Sequence, residues 1–164
     1  MCIATLPSTI VSGGQTGVDR AALDIAIELN MPHSGWCPRG KLAEDGVIGE
    51  EYQLKETVES DYITRTRLNV RDSDGTLVLN RGALSGGTAA TVGFAKQMQK
   101  PYLIINLDDP ENNLIFHEWL IKNEIRVLNI AGPRESKQPG IYIQAKGVLI
   151  TLLSDQPAVS VQAR

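Results

Sequence analysis

Thr9-Ile10-Val11-Ser12-Gly13-Gly14-Gln15-Thr16-Gly17-Val18-Asp19-Arg20 passes from a β-branched apolar run through a glycine-rich turn into the start of a helix. Val18, Ala22, Ile25 and Leu29 follow at spacings of four, three and four residues, which is one apolar face of a helix over residues 18–30. A strand, a glycine turn and an amphipathic helix in that order make the first half of a βαβ unit. The rhythm repeats along the chain. Residues 76–79 read as a buried strand, 81–88 as its loop and 89–100 as a helix stopped by Pro101. Residues 102–106 read as another buried strand, 111–123 as a helix, 126–130 as a strand and 139–153 as the last helix. Between the first unit and the second, residues 33–52 open as a short strand and become a glycine-punctuated loop, longer than most connections and so a candidate for function. Ser60 then caps a helix that reaches Val70.

Continuously apolar strands separated by helices predict an α/β fold: a single doubly wound, mostly parallel Rossmann-like sheet with helices on both faces. One such domain accounts for residues 1–164, with 155–164 expected to fray. In this architecture ligands sit where the loops at the carboxyl ends of the strands converge.

Composition narrows the partners. Sixteen basic and nineteen acidic residues leave a net charge of −3, without a run of Lys or Arg that could track a phosphate backbone, so no nucleic acid is expected. No apolar run approaches the roughly 18 residues of a membrane span, and the first residues lack the layout of a signal peptide. The expectation is a cytoplasmic protein that binds no membrane. Cys2 and Cys37 read as free thiols, and Cys37 with His33 and His117 is too sparse for a zinc site, so no metal is expected.

Glycine supplies fifteen of the 164 residues, above the usual share of about 7%. Twelve of them fall in four segments: 13, 14 and 17; 35, 40, 46 and 49; 82, 86 and 87; 132 and 140. The first segment, with Gln15 and Thr16, leaves a strand and opens a helix, where bare backbone amides can approach an anion. It is neither a Walker A loop nor GxGxxG. The competing reading is a capping box, with Thr16 and Asp19 satisfying helix-start amides. Ser85-Gly86-Gly87-Thr88 has the same setting and would open onto the same edge. Arg134, in a third loop that ends at Ser136, offers a planar fork for phosphate unless Glu135 neutralises it. Arg39 is a similar case, with Glu44 and Asp45 as internal partners or ligand contacts. Adjacent carboxylates usually point apart, so Glu44 and Asp45 do not read as an acid/base couple. Arg65, Asn69 and Asp72 form a polar stripe, either a solvated face or a wall that reads a ring edge.

Five stretches in this order, SGGQTGVDRAALD (12–24), GWCPRGKLAEDG (35–46), YITRTRLNVRDSDGTLVL (62–79), SGGT (85–88) and LNIAGPRES (128–136), resemble the molybdenum carrier family. That family is a circularly permuted member of the Rossmann-like superfamily that includes the phosphoribohydrolases once described as lysine decarboxylases. The resemblance implies that Gly13, Gly14, Thr16, Gly17 and Asp19 line a first ligand loop and Gly86, Gly87 and Thr88 a second. It also implies molybdenum cofactor or a nucleotide as ligand, and a homo-oligomer. Where the phosphoribohydrolases carry PGGxGTxxE, the glutamate position falls on Thr91 and the leading Pro-Gly-Gly is lost. A neutral Thr91 cannot replace that carboxylate, which leaves Asp19, Glu44 and Asp45 as the candidates for catalysis. The reading is a binding protein for a small phosphorylated ligand, with an N-glycosidic hydrolase of nucleotides or nucleotide sugars as the alternative.

Overall fold

The computed structural model describes residues 6–109 and 113–154. In chain order the elements are β1 (Thr9–Val11), α1 (Val18–Glu28), β2 (His33–Ser34), β3 (Trp36–Cys37), β4 (Leu42–Ala43), β5 (Gly46–Val47), β6 (Lys55–Glu56), α2 (Tyr62–Arg71), β7 (Gly75–Asn80), α3 (Gly86–Gln97), β8 (Tyr102–Asn106), α4 (Asn113–Lys122), β9 (Val127–Ala131) and α5 (Ile141–Leu153). Five strands form one sheet in the order β2-β1-β9-β7-β8, with every pairing parallel. The last strand in sequence therefore lies between the first unit and the second. The loops after β1, β7 and β9 leave the same edge side by side, which is where a doubly wound sheet places a ligand.

The two faces of the sheet differ in chemistry. Successive side chains in a strand alternate between faces. Ile10, Leu128, Ile130, Leu77 and Leu79 share one core cluster with Ala22 and Ile25 of α1, Phe116 of α4 and Leu149 of α5. Each large apolar side chain buried there stabilises the fold by about 1.5–3 kcal/mol. The alternate positions carry Val11, Asn129, Thr76, Val78 and Asn80, and on this side α2 packs on α3. Asn129, 2% exposed, donates from Nδ2 to Thr76 Oγ1 at 3.2 Å, so the polar pair satisfies itself across β9 and β7.

Several boundaries differ from expectation for identifiable reasons. The cap of α2 is Asp61 rather than Ser60: its Oδ1 accepts from the Thr64 amide at 2.7 Å, and its backbone is extended. Helix α3 begins at Gly86, so Gly86, Gly87 and Thr88 are its first turn rather than a loop before it. Helix α5 starts at Ile141, behind Gly140 in the left-handed region. Strand β8 is an edge strand, and its Ile104 is 41% exposed instead of buried. The long segment read as a loop contains β3, which pairs with β6 just beyond it, and a β4–β5 hairpin. Residues 111 and 112 of the expected fourth helix, the expected frayed tail 155–164 and Cys2 lie outside the described residues.

Candidate functional site

The loops after β1, β7 and β9 and one side of α2 and α3 enclose a cleft of about 230 Å³. Its floor is the polar face of the sheet. Asn129, Thr66 and Thr91 line it at 2%, 8% and 3% exposure, which a purely structural interior would fill with apolar groups. Thr91 is held inside α3, its hydroxyl donating to the Gly87 carbonyl at 2.9 Å.

The wall from the first glycine loop is organised around Asp19. Its Oδ2 accepts from the Gln15 amide at 3.3 Å and from Arg65 Nη1 at 2.9 Å. Burial pushes the Asp19 carboxyl above its usual range, against the pull of Arg65. This is not a capping box. Helix α1 has Gly17 at its N-cap and no side-chain cap, because Asp19 turns back to Gln15 and Thr16 turns away to Glu44 and the Glu135 amide. Gln15 Oε1 takes the amides of Thr16 at 3.0 Å and Glu44 at 2.8 Å, and the Val18 amide goes to the Pro133 carbonyl at 3.2 Å. Much of this loop's donor capacity is thus engaged by the protein itself.

The opposite wall is the start of α3. Ser85 at its N-cap makes no side-chain cap bond, and the amides of Gly86, Gly87 and Thr88 have no acceptor within the helix. A Cβ at Gly87 would meet nothing within 4 Å, whereas one at Gly86 would lie 2.9 Å from Lys137 Nζ. Lys137 and Arg134 enter from the loop after β9 and line the same cleft with Arg65. Lys137 is exposed and makes no side-chain hydrogen bond or ion pair among the described residues, and the Nε atoms of Arg65 and Arg134 are buried without a hydrogen-bond partner. Of these cations Arg65 pairs with Asp19 and Arg134 with Glu44, so among the described residues Lys137 and the helix N-terminus are left open to the cleft. Tyr62 and Ile63, 41% and 62% exposed, add an apolar rim at the start of α2.

Of the residues singled out from sequence, Gly13, Gln15, Asp19, Arg65, Ser85, Gly87, Thr88 and Arg134 line this cleft. Gly14, Thr16, Gly17, Gly86 and Ser136 do not line it, and exposed Arg39 is not part of it. Glu44 and Asp45 do point apart. Glu44 binds Thr16, Ser136 and Arg134, while Asp45 binds both terminal nitrogens of Arg20 at 3.0 and 3.1 Å. Glu135 leaves Arg134 to Glu44 and instead accepts from the amides of Gly140 and Tyr142 at the start of α5. The polar stripe on α2 is not a solvated face: Arg65 pairs with Asp19, and both Asn69 and Asp72 bind Trp36. Sequence reasoning missed Lys137, Tyr62 and Asn129. Only Asn129 left a signal, a polar residue inside an apolar strand. Among the described residues, no group of His, Cys, Asp or Glu is arranged to hold a metal ion, and no helix is long and apolar enough to cross a membrane.

Residues 10–153 match the family described as the circularly permutated YpsA SLOG family. The crystal structure of "Putative molybdenum carrier protein" from Syntrophus aciditrophicus SB is similar to this chain at 48% identity and a TM-score of 0.89, covering 91% of this chain and 96% of that one. No curated protein matches the chain.

Proposed function

The chain belongs to the circularly permutated YpsA SLOG family, and from that premise we propose that it binds a small phosphorylated heterocycle, molybdenum cofactor or a nucleotide, in the cleft between the loops of β1, β7 and β9. The observation that carries this reading is the convergence of Arg65, Arg134, Lys137 and the uncapped start of α3 on one cleft that holds a single carboxylate. A helix N-terminus and flanking cations are the donors a phosphate takes. The phosphate belongs against Gly87 and Thr88, where no protein acceptor competes, with Lys137 beside it. The ring belongs on the side of Tyr62 and Ile63, which offer an aromatic and an aliphatic surface.

Size limits the ligand. At about 230 Å³ the cleft lies below the roughly 300–1,000 Å³ of drug-sized sites, so a mononucleotide or a pterin phosphate matches it and a dinucleotide has to extend over the rim. Molybdenum cofactor enters this reading through the name of the similar carrier protein. The described residues offer the metal no ligand cluster, so such cargo would be held by its phosphate and ring.

The alternative, hydrolysis of an N-glycosidic bond, is favoured by one observation. Asp19 is a cleft carboxyl whose proton affinity burial has raised, as a general acid or base requires. Against it, Thr91 stands where the phosphoribohydrolase glutamate would be.

Native mass spectrometry of freshly purified protein tests for a retained phosphorylated ligand or molybdenum. Calorimetric titration with AMP and with molybdate follows, on the wild type and on Gly87→Val. A Cβ at Gly87 has nothing within 4 Å outside its own helix, so the added side chain projects into ligand space and should lower affinity at least tenfold. Unchanged affinity would sink the binding reading. Release of free base from AMP, abolished in Asp19→Asn, would establish the hydrolase instead.

A further inference from the structure

Glu44 and Asp45 form the two-residue tip of the β4–β5 hairpin, in which Leu42 pairs with Val47 and Ala43 with Gly46. Little apolar area holds this hairpin down: Leu42 is 47% and Val47 71% exposed. A two-stranded hairpin is marginal on its own in water, so its position depends on what the tip touches. Asp45 is tethered by Arg20. Glu44 sits in a different environment. Its Oε1 accepts from the Ser136 amide at 3.0 Å and from the Thr16 hydroxyl, and its Oε2 accepts from the Ser136 hydroxyl. Arg134 Nε lies 3.5 Å from Oε2, a long pair in which both side chains keep some solvent contact.

Two hydroxyls, a backbone amide and a guanidinium around one carboxylate make a donor set for an oxyanion. Arg134 belongs both to this set and to the cleft wall. The geometry points to a second oxyanion subsite, formed by Thr16, Ser136 and Arg134, which the hairpin tip fills through Glu44 and from which an anionic group of the ligand displaces it. The inference rests on the ligand-binding reading above, because the displacing anion must reach Arg134 through the cleft. A phosphate dianion presents more charge and more acceptor oxygens to Arg134 than the Glu44 carboxylate does, so exchange favours the ligand at sufficient concentration. Asp45 keeps the strap tethered to Arg20 while the Glu44 side lifts, which frees the Glu44 amide from Gln15.

The test uses the full chain, with ADP, which carries a second phosphate beyond the one placed at Gly87, and inorganic phosphate as separate probes, since a phosphate ester and a free oxyanion present the same chemistry here. Calorimetry compares wild type, Glu44→Gln, Glu44→Ala and Gly87→Val, and hydrogen exchange follows residues 41–48. If Glu44 holds the subsite closed in all but about a tenth of molecules, its removal tightens binding roughly tenfold. Either probe should also speed exchange of the hairpin amides in the wild type, and in the Glu44 variants exchange should be fast without any probe. Displacement by phosphate alone assigns a free oxyanion, and displacement by ADP only assigns an ester. Gly87-dependent binding that is no tighter in either Glu44 variant, or slower hairpin exchange on binding, overturns the subsite and leaves the binding reading intact. No binding by wild type or by either Glu44 variant overturns both.

Discussion

The Arg65 guanidinium occupies the space that a side chain on Gly13 would need, with Nη1 1.7 Å from the position of a Cβ there and 2.9 Å from the Asp19 carboxylate. Gly13 is bare so that an ion pair can close over it. Gly13→Ala must evict the guanidinium and leave Asp19 buried without its partner, at a cost of about 3 kcal/mol. In an Arg65→Ala background only the end of the Asp19 side chain, with Oδ2 2.9 Å from that Cβ, has to shift, and the same substitution should cost less than about 1 kcal/mol. Urea denaturation of the double-mutant cycle measures the difference. Equal costs in both backgrounds would contradict the arrangement.

Gly14 answers to a different neighbour. Its backbone has a φ of +79°, and a Cβ there would come within 2.7 Å of Leu54 Cδ1 and 2.9 Å of Ile48 Cδ1, away from the cleft. Gly14→Ala should therefore cost about 1–3 kcal/mol through backbone strain and crowding. Its effect on AMP affinity should follow from stability alone. Thermal melts with and without AMP separate the two. A stable Gly14→Ala that has lost ligand would place Gly14 in the site after all.

These two glycines mark the limit of what sequence could reveal. Strand, turn and helix alternate with local periodicity, so the parallel sheet and the edge at which its loops converge were legible, as were Gly87, Thr88 and Asp19 on the cleft. What fills the space beside each glycine comes from distant parts of the chain: Arg65 for Gly13, Ile48 and Leu54 for Gly14, and the Pro133 carbonyl for Gly17. No spacing rule connects residues so far apart. The hairpin at residues 42–47 was hidden for the same reason, because its two-residue strands have no periodicity of their own and its tip is placed by Ser136 and Arg20. Lys137 carried no signal beyond being a charged loop residue.

Three carboxyls near the glycine loops should titrate apart. Burial holds Asp19 above its ordinary value of 3.8 in spite of Arg65. Glu44 is lowered from 4.5: desolvation works against this, and the hydrogen bonds from Ser136 and Thr16 overcome it. Asp45 is lowered from 3.8, chiefly by its hydrogen bonds from Arg20. The signs differ. Raised Asp19 contributes stability that is full below 3.8 and is lost as pH climbs through its folded value; lowered Glu44 and Asp45 contribute stability that is full above 4.5 and 3.8 and is lost as pH falls through theirs. Acidification through the folded value of Asp19 should thus raise the urea midpoint of the wild type, and Asp19→Asn should flatten that rise. Carboxyl-detected NMR should find Asp19 titrating last on the way up. An Asp19 midpoint at or below the ordinary value would refute the assignment.

Asn69 acts on the backbone of Trp36 as a neighbouring strand would. Its Oδ1 accepts from the Trp36 amide at 2.7 Å and its Nδ2 donates to the Trp36 carbonyl at 3.0 Å, while the indole Nε1 donates to Asp72 at 2.8 Å. One carboxamide thereby ties α2 to β3 and holds the α2 wall of the cleft, which Asn69 also lines. Asn69→Ala leaves both backbone groups of a half-buried residue without partners and should cost about 2–3 kcal/mol. Asp72→Asn keeps an acceptor for the indole and should cost less than about 1 kcal/mol. In a Trp119→Phe background the remaining emission comes from Trp36, since the chain has two tryptophans. Asn69→Ala should shift that emission to the red as α2 lifts and water reaches the ring, and AMP affinity should fall in step as Arg65 moves with its helix. Lost affinity with unchanged Trp36 emission would instead mean that Asn69 touches the ligand directly and that the wall stands without it.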